Sequence, residues 1–184
     1  MKISAASLAP LLALLLAGGA LGQGDQKEAL TATCVLANGP AEGIIVFTEK
    51  AGSGFVTVEG FVRGLGSNAK HGFHVHGLPI TDGNCSSTGG HFNPFNATHG
   101  SPRSLERHVG DLGNISSDKY GVSKVKIFDK IISLSSSEVS IIGKSIVVHA
   151  GEDDLGRGGD EGSLVTGNAG ARIGCCMIEK EEAM

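Results

Sequence analysis

Residues 43–76 read GIIVFTE-KAGSG-FVTVEGFVR-GLGSNA-KHGFHVH. Three runs rich in Val, Ile, Phe and Thr alternate with clusters of Gly, Ser and Asn, which is how short strands and tight turns are written. The pattern extends outward. Segment 31–37 precedes this stretch and has the same character, while Lys124-Val125-Lys126-Ile127 alternates polar and apolar as a half-buried strand does. Segments 145–150 and 171–178 complete the set. The 184 residues include 29 glycines and hardly any stripe at helical period. Seven or eight short strands spaced by turns predict an all-β antiparallel sandwich or barrel.

Two stretches break the rhythm. Residues 77–107 and 151–170 are long, glycine-rich and poor in apolar residues. Loops beyond about 12–15 residues are usually functional or disordered. Both follow a histidine-bearing strand, and the first contains further histidines, so both are read as loops folded around something; slack surface loop is the alternative, above all for 151–170.

The amino terminus is read separately. Lys2 precedes an apolar run from Leu8 to Ala17 and small residues around Gly18, Ala20 and Gly22. That is the layout of a secretory signal peptide over residues 1–22, leaving 23–184 as the mature domain. The run is shorter than the roughly 20 residues of a membrane span, and a buried core helix is its rival. The mature chain is expected to be secreted, with no membrane anchor. The formal charge of −4 becomes −5 once Lys2 is removed, which gives no electrostatic reason to bind nucleic acid. Sequons at Asn96 and Asn114 suit an exported glycoprotein; a third, at Asn84, carries a cysteine in its middle position. Four cysteines, Cys34, Cys85, Cys175 and Cys176, allow two disulfides in three connectivities. There is no CxxC pair, which argues against a zinc-thiolate site.

Seven histidines carry the chemistry. His74 and His76 lie two apart, so on a strand they share one face and form a preset clamp; alone, such a pair is a weak signal. His91, His99, His108 and Asp111 supply three nitrogens and a carboxylate, a closed set that suits structural zinc. Asp111 also reads as a turn-forming aspartate. His149 ends the strand Ile146-Val147-Val148 and is either a buried hydrogen-bonding residue or the completion of a nitrogen-rich tetragonal site with His74 and His76, a geometry that favours Cu(II).

Six motifs together carry a resemblance: Gly72-Phe73-His74-Val75-His76, Gly90-His91-Phe92-Asn93-Pro94, Arg107-His108-Val109-Gly110-Asp111-Leu112-Gly113-Asn114, Val147-Val148-His149, Asp153-Asp154-Leu155-Gly156 and Gly167-Asn168-Ala169-Gly170-Ala171-Arg172. In order and spacing the chain from about residue 29 to 178 resembles the copper/zinc superoxide dismutases of the secreted, extracellular kind. The resemblance implies an eight-stranded Greek-key sandwich or flattened barrel with two long functional loops. It implies one copper and one zinc per subunit, and disproportionation of superoxide to oxygen and hydrogen peroxide by Cu(II)/Cu(I) cycling. Copper is then held by His74, His76, His91 and His149, and zinc by His91, His99, His108 and Asp111, with His91 bridging. Asp153 links a copper histidine to a zinc histidine, and outer partners of this kind fix ring orientation. Arg172 guides superoxide and acts with His91 in catalysis, His71 supports without ligating, and Cys85 pairs with Cys175. If the first and last strands also pair as in the family, Cys34 and Cys176 lie close enough for a second disulfide; two buried thiols are the alternative.

The chain departs from the family in three places. Two channel lysines are replaced by Gly151 and Val165, and a glutamate by Gly162, which predicts a weaker dependence of rate on ionic strength. The family's homodimer is expected, although Ile178-Glu179-Lys180 and Pro79 alter the usual contact surface. A copper-delivery or copper-storage protein would not need Arg172. A zinc hydrolase would need an open zinc position, which Asp111 fills.

Overall fold

A computed structural model describes residues 29–135 and 137–182. The expected signal peptide lies outside the described residues. Among the described residues there are nine strands: β1 (Leu30–Leu36), β2 (Glu42–Glu49), β3 (Val56–Arg63), β4 (Lys70–His76), β5 (Asp111–Ser116), β6 (Ser123–Asp129), β7 (Ser145–His149), β8 (Arg172–Met177) and β9 (Glu179–Lys180). They form two antiparallel sheets, β6-β3-β2-β1-β9 and β5-β4-β7-β8. β3 pairs with β6 while the intervening β4 and β5 pair in the other sheet, a Greek-key nesting. The sheets do not close into a barrel, so the fold is an open sandwich. β9, a two-residue strand on β1, is additional to the expected eight.

Alternation puts Ala32, Cys34 and Leu36 of β1, Ile45 and Phe47 of β2, and Val56, Val58 and Val62 of β3 into the core. The facing sheet contributes Phe73 and Val75 from β4, Leu112 and Ile115 from β5, and Ile146 and Val148 from β7. Fully burying side chains of this size contributes about 1.5–3 kcal/mol each.

The two central strands of the four-stranded sheet differ from the rest. In β4 every residue from His71 to His76 is buried, and β7 is buried throughout. One face of each serves the sandwich core. The other, carrying His74, His76, Val147 and His149, lies beneath the long loops. The first loop contains a 3-10 turn, Cys85–Thr88, and the second a short helix, α1 (Glu161–Thr166), capped by Asp160, whose side chain accepts from Ser163 N–H. Among the described residues no helix is long and apolar enough to cross a membrane.

Disulfides join Cys34 to Cys176 and Cys85 to Cys175, with Cα separations of 5.4 and 5.6 Å. Neighbours on a strand point to opposite faces. Cys176 therefore reaches inward to β1, while Cys175 reaches outward to the 3-10 turn and clusters with Val147.

Candidate metal centre

β4 presents His74 and His76 from its outer face, and β7 delivers His149 beside them. His91 comes from the first loop and pairs with His76 in an isolated bridge. His99 and His108 come from the same loop, and Asp111 opens β5. One ligand atom from each of His74, His76, His91 and His149 falls within 4.8 Å of the others, and so does one from each of His91, His99, His108 and Asp111. Both groups are able to hold a metal ion, and His91 belongs to both.

Hydrogen bonding decides which nitrogens are available. His76 Nδ1 lies 2.8 Å from Gly89 O, and His149 Nδ1 3.0 Å from Gly170 O. A carbonyl only accepts, so each Nδ1 carries the proton and each Nε2 keeps its lone pair. Those two lone pairs face one another at 3.4 Å. Asp153 does the same for two more rings, accepting from His74 Nε2 at 3.0 Å and from His99 Nε2 at 2.7 Å. His74 Nδ1 and His91 Nε2 are buried without a hydrogen-bond partner, while the second nitrogen of His99 faces Asp111. His91 Nδ1 and His108 Nδ1 lie 2.9 and 3.1 Å from Asp111 Oδ1, and His99 Nδ1 lies 3.0 Å from the same oxygen. Buried lone pairs converging without donors are costly unless a cation takes them. The donor chemistry fits metal ions: four imidazole nitrogens on one side, three nitrogens and a carboxylate oxygen on the other.

Charge follows from this geometry. Burial, reinforced by His91 nearby, holds His74 at about 3 and His76 at about 2. Burial outweighs the hydrogen bond that His149 donates to Gly170 O and keeps His149 at about 4. His91 is also lowered by burial, against the pull of Asp111. His99 differs: burial opposes its charge, but Asp111 and Asp153 together raise it to about 9. Burial would raise both carboxyls. Hydrogen bonds from His108, His91 and His99 instead hold Asp111 well below the usual range, and His74 and His99 do so for Asp153.

A pocket of about 330 Å³ opens over the four-nitrogen group, lined by His76, His91, His149, Thr166, Asn168 and Arg172. Arg172 is half-exposed. Its Nη1 donates to Cys85 O (2.7 Å) and Thr88 Oγ1 (2.9 Å), and its Nη2 donates to Gly89 O (2.6 Å). His71 stands apart from both groups, with Nδ1 2.8 Å from His149 O.

Two residues absent from the sequence reading as site residues belong to the site's support. Thr88 is fully buried beside Arg172 and His76. Asn114, read from sequence as a sequon and as the end of a family motif, clamps Asp153: its Nδ2 donates to Asp153 O and its Oδ1 accepts from Asp153 N–H, both at 2.8 Å. No local pattern announces either role.

A β-sandwich that carries two such groups on one sheet face, sharing one imidazole, is the scaffold of a two-metal protein. The copper/zinc superoxide dismutase family profile matches residues 41–178, and the chain belongs to that family. It is an enzyme of that family, with copper and zinc as cofactors. It is 50% identical over 149 residues to copper/zinc superoxide dismutase 5 of Dictyostelium discoideum, covering 81% of this chain and 97% of the relative. Identity is also 50% over 148 residues to copper/zinc superoxide dismutase A of Xenopus laevis, covering 80% and 95%. Among solved structures, one described as the clock protein EA4 superposes with a TM-score of 0.76 at 42% identity, covering 81% of this chain and 93% of that one.

Proposed function

We propose that the chain is a secreted superoxide dismutase in which His74, His76, His91 and His149 hold copper, and His91, His99, His108 and Asp111 hold zinc. The observation that carries this reading is His91, one ring with a nitrogen in each group. Four nitrogens favour copper, and three nitrogens with a carboxylate suit a closed zinc site. Copper, when bound, supplies the one-electron redox chemistry that turns two superoxide anions and two protons into oxygen and hydrogen peroxide.

The chain's own groups do the rest. Arg172 presents a fixed positive charge at the pocket wall, pinned by carbonyls that keep it from folding away. Its guanidinium attracts the anion and orients it beside His76 and His149. Asp153 and Asn114 keep His74 and His99 in the tautomers that ligation needs. With Nδ1 held beside Asp111, His91 Nε2 can take a proton at the floor of the pocket, where peroxide needs one.

Secretion is supported by the leader-like residues 1–22 and by the commitment of all four cysteines to disulfides. Of the sequons at Asn96 and Asn114, exposed Asn96 is the proposed glycan acceptor, because the Asn114 amide is occupied by Asp153. A homodimer is supported by exposed apolar side chains, among them Val35 of β1 and its cross-strand partner Ile44 of β2. Glu179 and Lys180 flank this patch. Sedimentation should give the mass of two chains.

Protein loaded with both metals should consume superoxide, and selective copper chelation should abolish the activity while zinc stays bound. Metal-loaded protein that leaves superoxide at its spontaneous rate of decay would overturn the reading.

A further inference from the structure

We propose that Thr88 is a positioning residue that ties the substrate-guiding guanidinium of Arg172 to the metal-facing ring of His76. The inference rests on the dismutase reading above and deepens it.

Thr88 ends the 3-10 turn and is fully buried. Its hydroxyl has one proton and two lone pairs. The proton goes to Cys85 O at 2.8 Å. The oxygen accepts from Arg172 Nη1 at 2.9 Å and lies 3.3 Å from His76 Nδ1. The next residue repeats the arrangement: Gly89 O accepts from Arg172 Nη2 at 2.6 Å and from His76 Nδ1 at 2.8 Å. Two consecutive oxygens, one from a side chain and one from the backbone, therefore stand between the guanidinium and the imidazole, and each touches both. The backbone carbonyl would be there whatever residue stood at 88. The hydroxyl is supplied by threonine, and it gives Nη1 a second short contact, on the His76 side of the one that Cys85 O already makes. Without it, Nη1 keeps only Cys85 O and a longer contact of 3.3 Å to Ser86 O, both further back along the turn.

The experiment uses the full chain loaded with copper and zinc, with azide as the probe anion. Azide titration followed by the copper visible spectrum is compared with superoxide consumption in wild type, Thr88→Val, Thr88→Ser and Arg172→Ala. Valine keeps the shape and removes the acceptor. The azide dissociation constant should rise about 3- to 10-fold and kcat/KM should fall by a similar factor, as expected for one lost orienting hydrogen bond. Serine should restore both. In the Arg172→Ala background, Thr88→Val should have no further effect on azide. Unchanged azide affinity in Thr88→Val overturns the proposal, and so does an equal loss with and without Arg172. If the valine variant fails to fold, Thr88→Ala against Thr88→Ser gives the same contrast. Wild-type protein that consumes no superoxide would instead overturn the dismutase reading.

Discussion

The rings of His74, His76 and His149 are each assigned a tautomer by a neighbour that can only accept, a carboxylate for one and a backbone carbonyl for the others. This has a measurable consequence for metal uptake. His74, His76 and His149 are held at about 3, 2 and 4, so they are neutral at pH 7 and offer their lone pairs without giving up a proton. His99, raised to about 9 between Asp111 and Asp153, is protonated there. Zinc binding to the metal-free protein at pH 7 should therefore release a proton from His99. Copper added afterwards should release one more, from His91, because both nitrogens of that ring are then engaged. Calorimetry in buffers of differing ionisation heat would count them; zinc uptake with no proton released would contradict the His99 assignment. Above about pH 9 His99 is already neutral, so the zinc-linked proton should disappear. Gly167 shows how closely the support is drawn. Its φ of 65° is left-handed, and an added Cβ would sit on the Asp153 carboxylate and against His99 Nε2.

Among the elements, α1 carries the clearest departure in electrostatics. Leu164 and Val165 face solvent at its end, next to Thr166 on the pocket wall, where the family pattern leads one to look for a cation. In a chain of formal charge −4 that leaves Arg172 as the cation lining the pocket. Val165→Lys should make superoxide consumption fall more steeply with ionic strength than in wild type, read as the slope of log rate in a stopped-flow salt series; identical slopes would remove the argument. The elements also differ in how far their sequences disclose them. Segments 43–49, 55–63 and 70–76 are dense in β-branched and aromatic residues, and the strands fall on them almost residue for residue. β5 escaped because Asp111, Gly113 and Asn114 are poor strand formers, and pairing with β4 holds it extended. α1 is a single capped turn-and-a-half inside a loop, too short to show a period. The His74–His76 pair was legible from strand alternation and the His91, His99, His108 and Asp111 set from short spacings, whereas His149, 73 residues from His76, was legible as their partner through the family resemblance. Thr88 was not, since its partner Arg172 lies 84 residues away. The register that brings Cys34 to Cys176 likewise belongs to the folded sheets rather than to any stretch of chain.

At the scale of the molecule, the Cys34–Cys176 bridge ties β1 of one sheet to β8 of the other. With Cys85–Cys175 already formed, the extra ring it closes in the unfolded chain is about fifty residues, so a stabilisation of roughly 2–4 kcal/mol is expected. Replacing both Cys34 and Cys176 with alanine should lower the melting temperature of the metal-loaded protein by about 10 °C. Metal content should not change, because neither sulfur approaches the histidines; an unaltered melting temperature would show that the bridge contributes nothing. The bridge has one more consequence. It makes a covalent loop of everything from position 34 to 176, and all seven histidines lie on that loop. A protease that severs one exposed turn, such as that around residues 50–54, would open the loop without detaching any part of it, so a clipped molecule would travel as one piece until a reductant arrived.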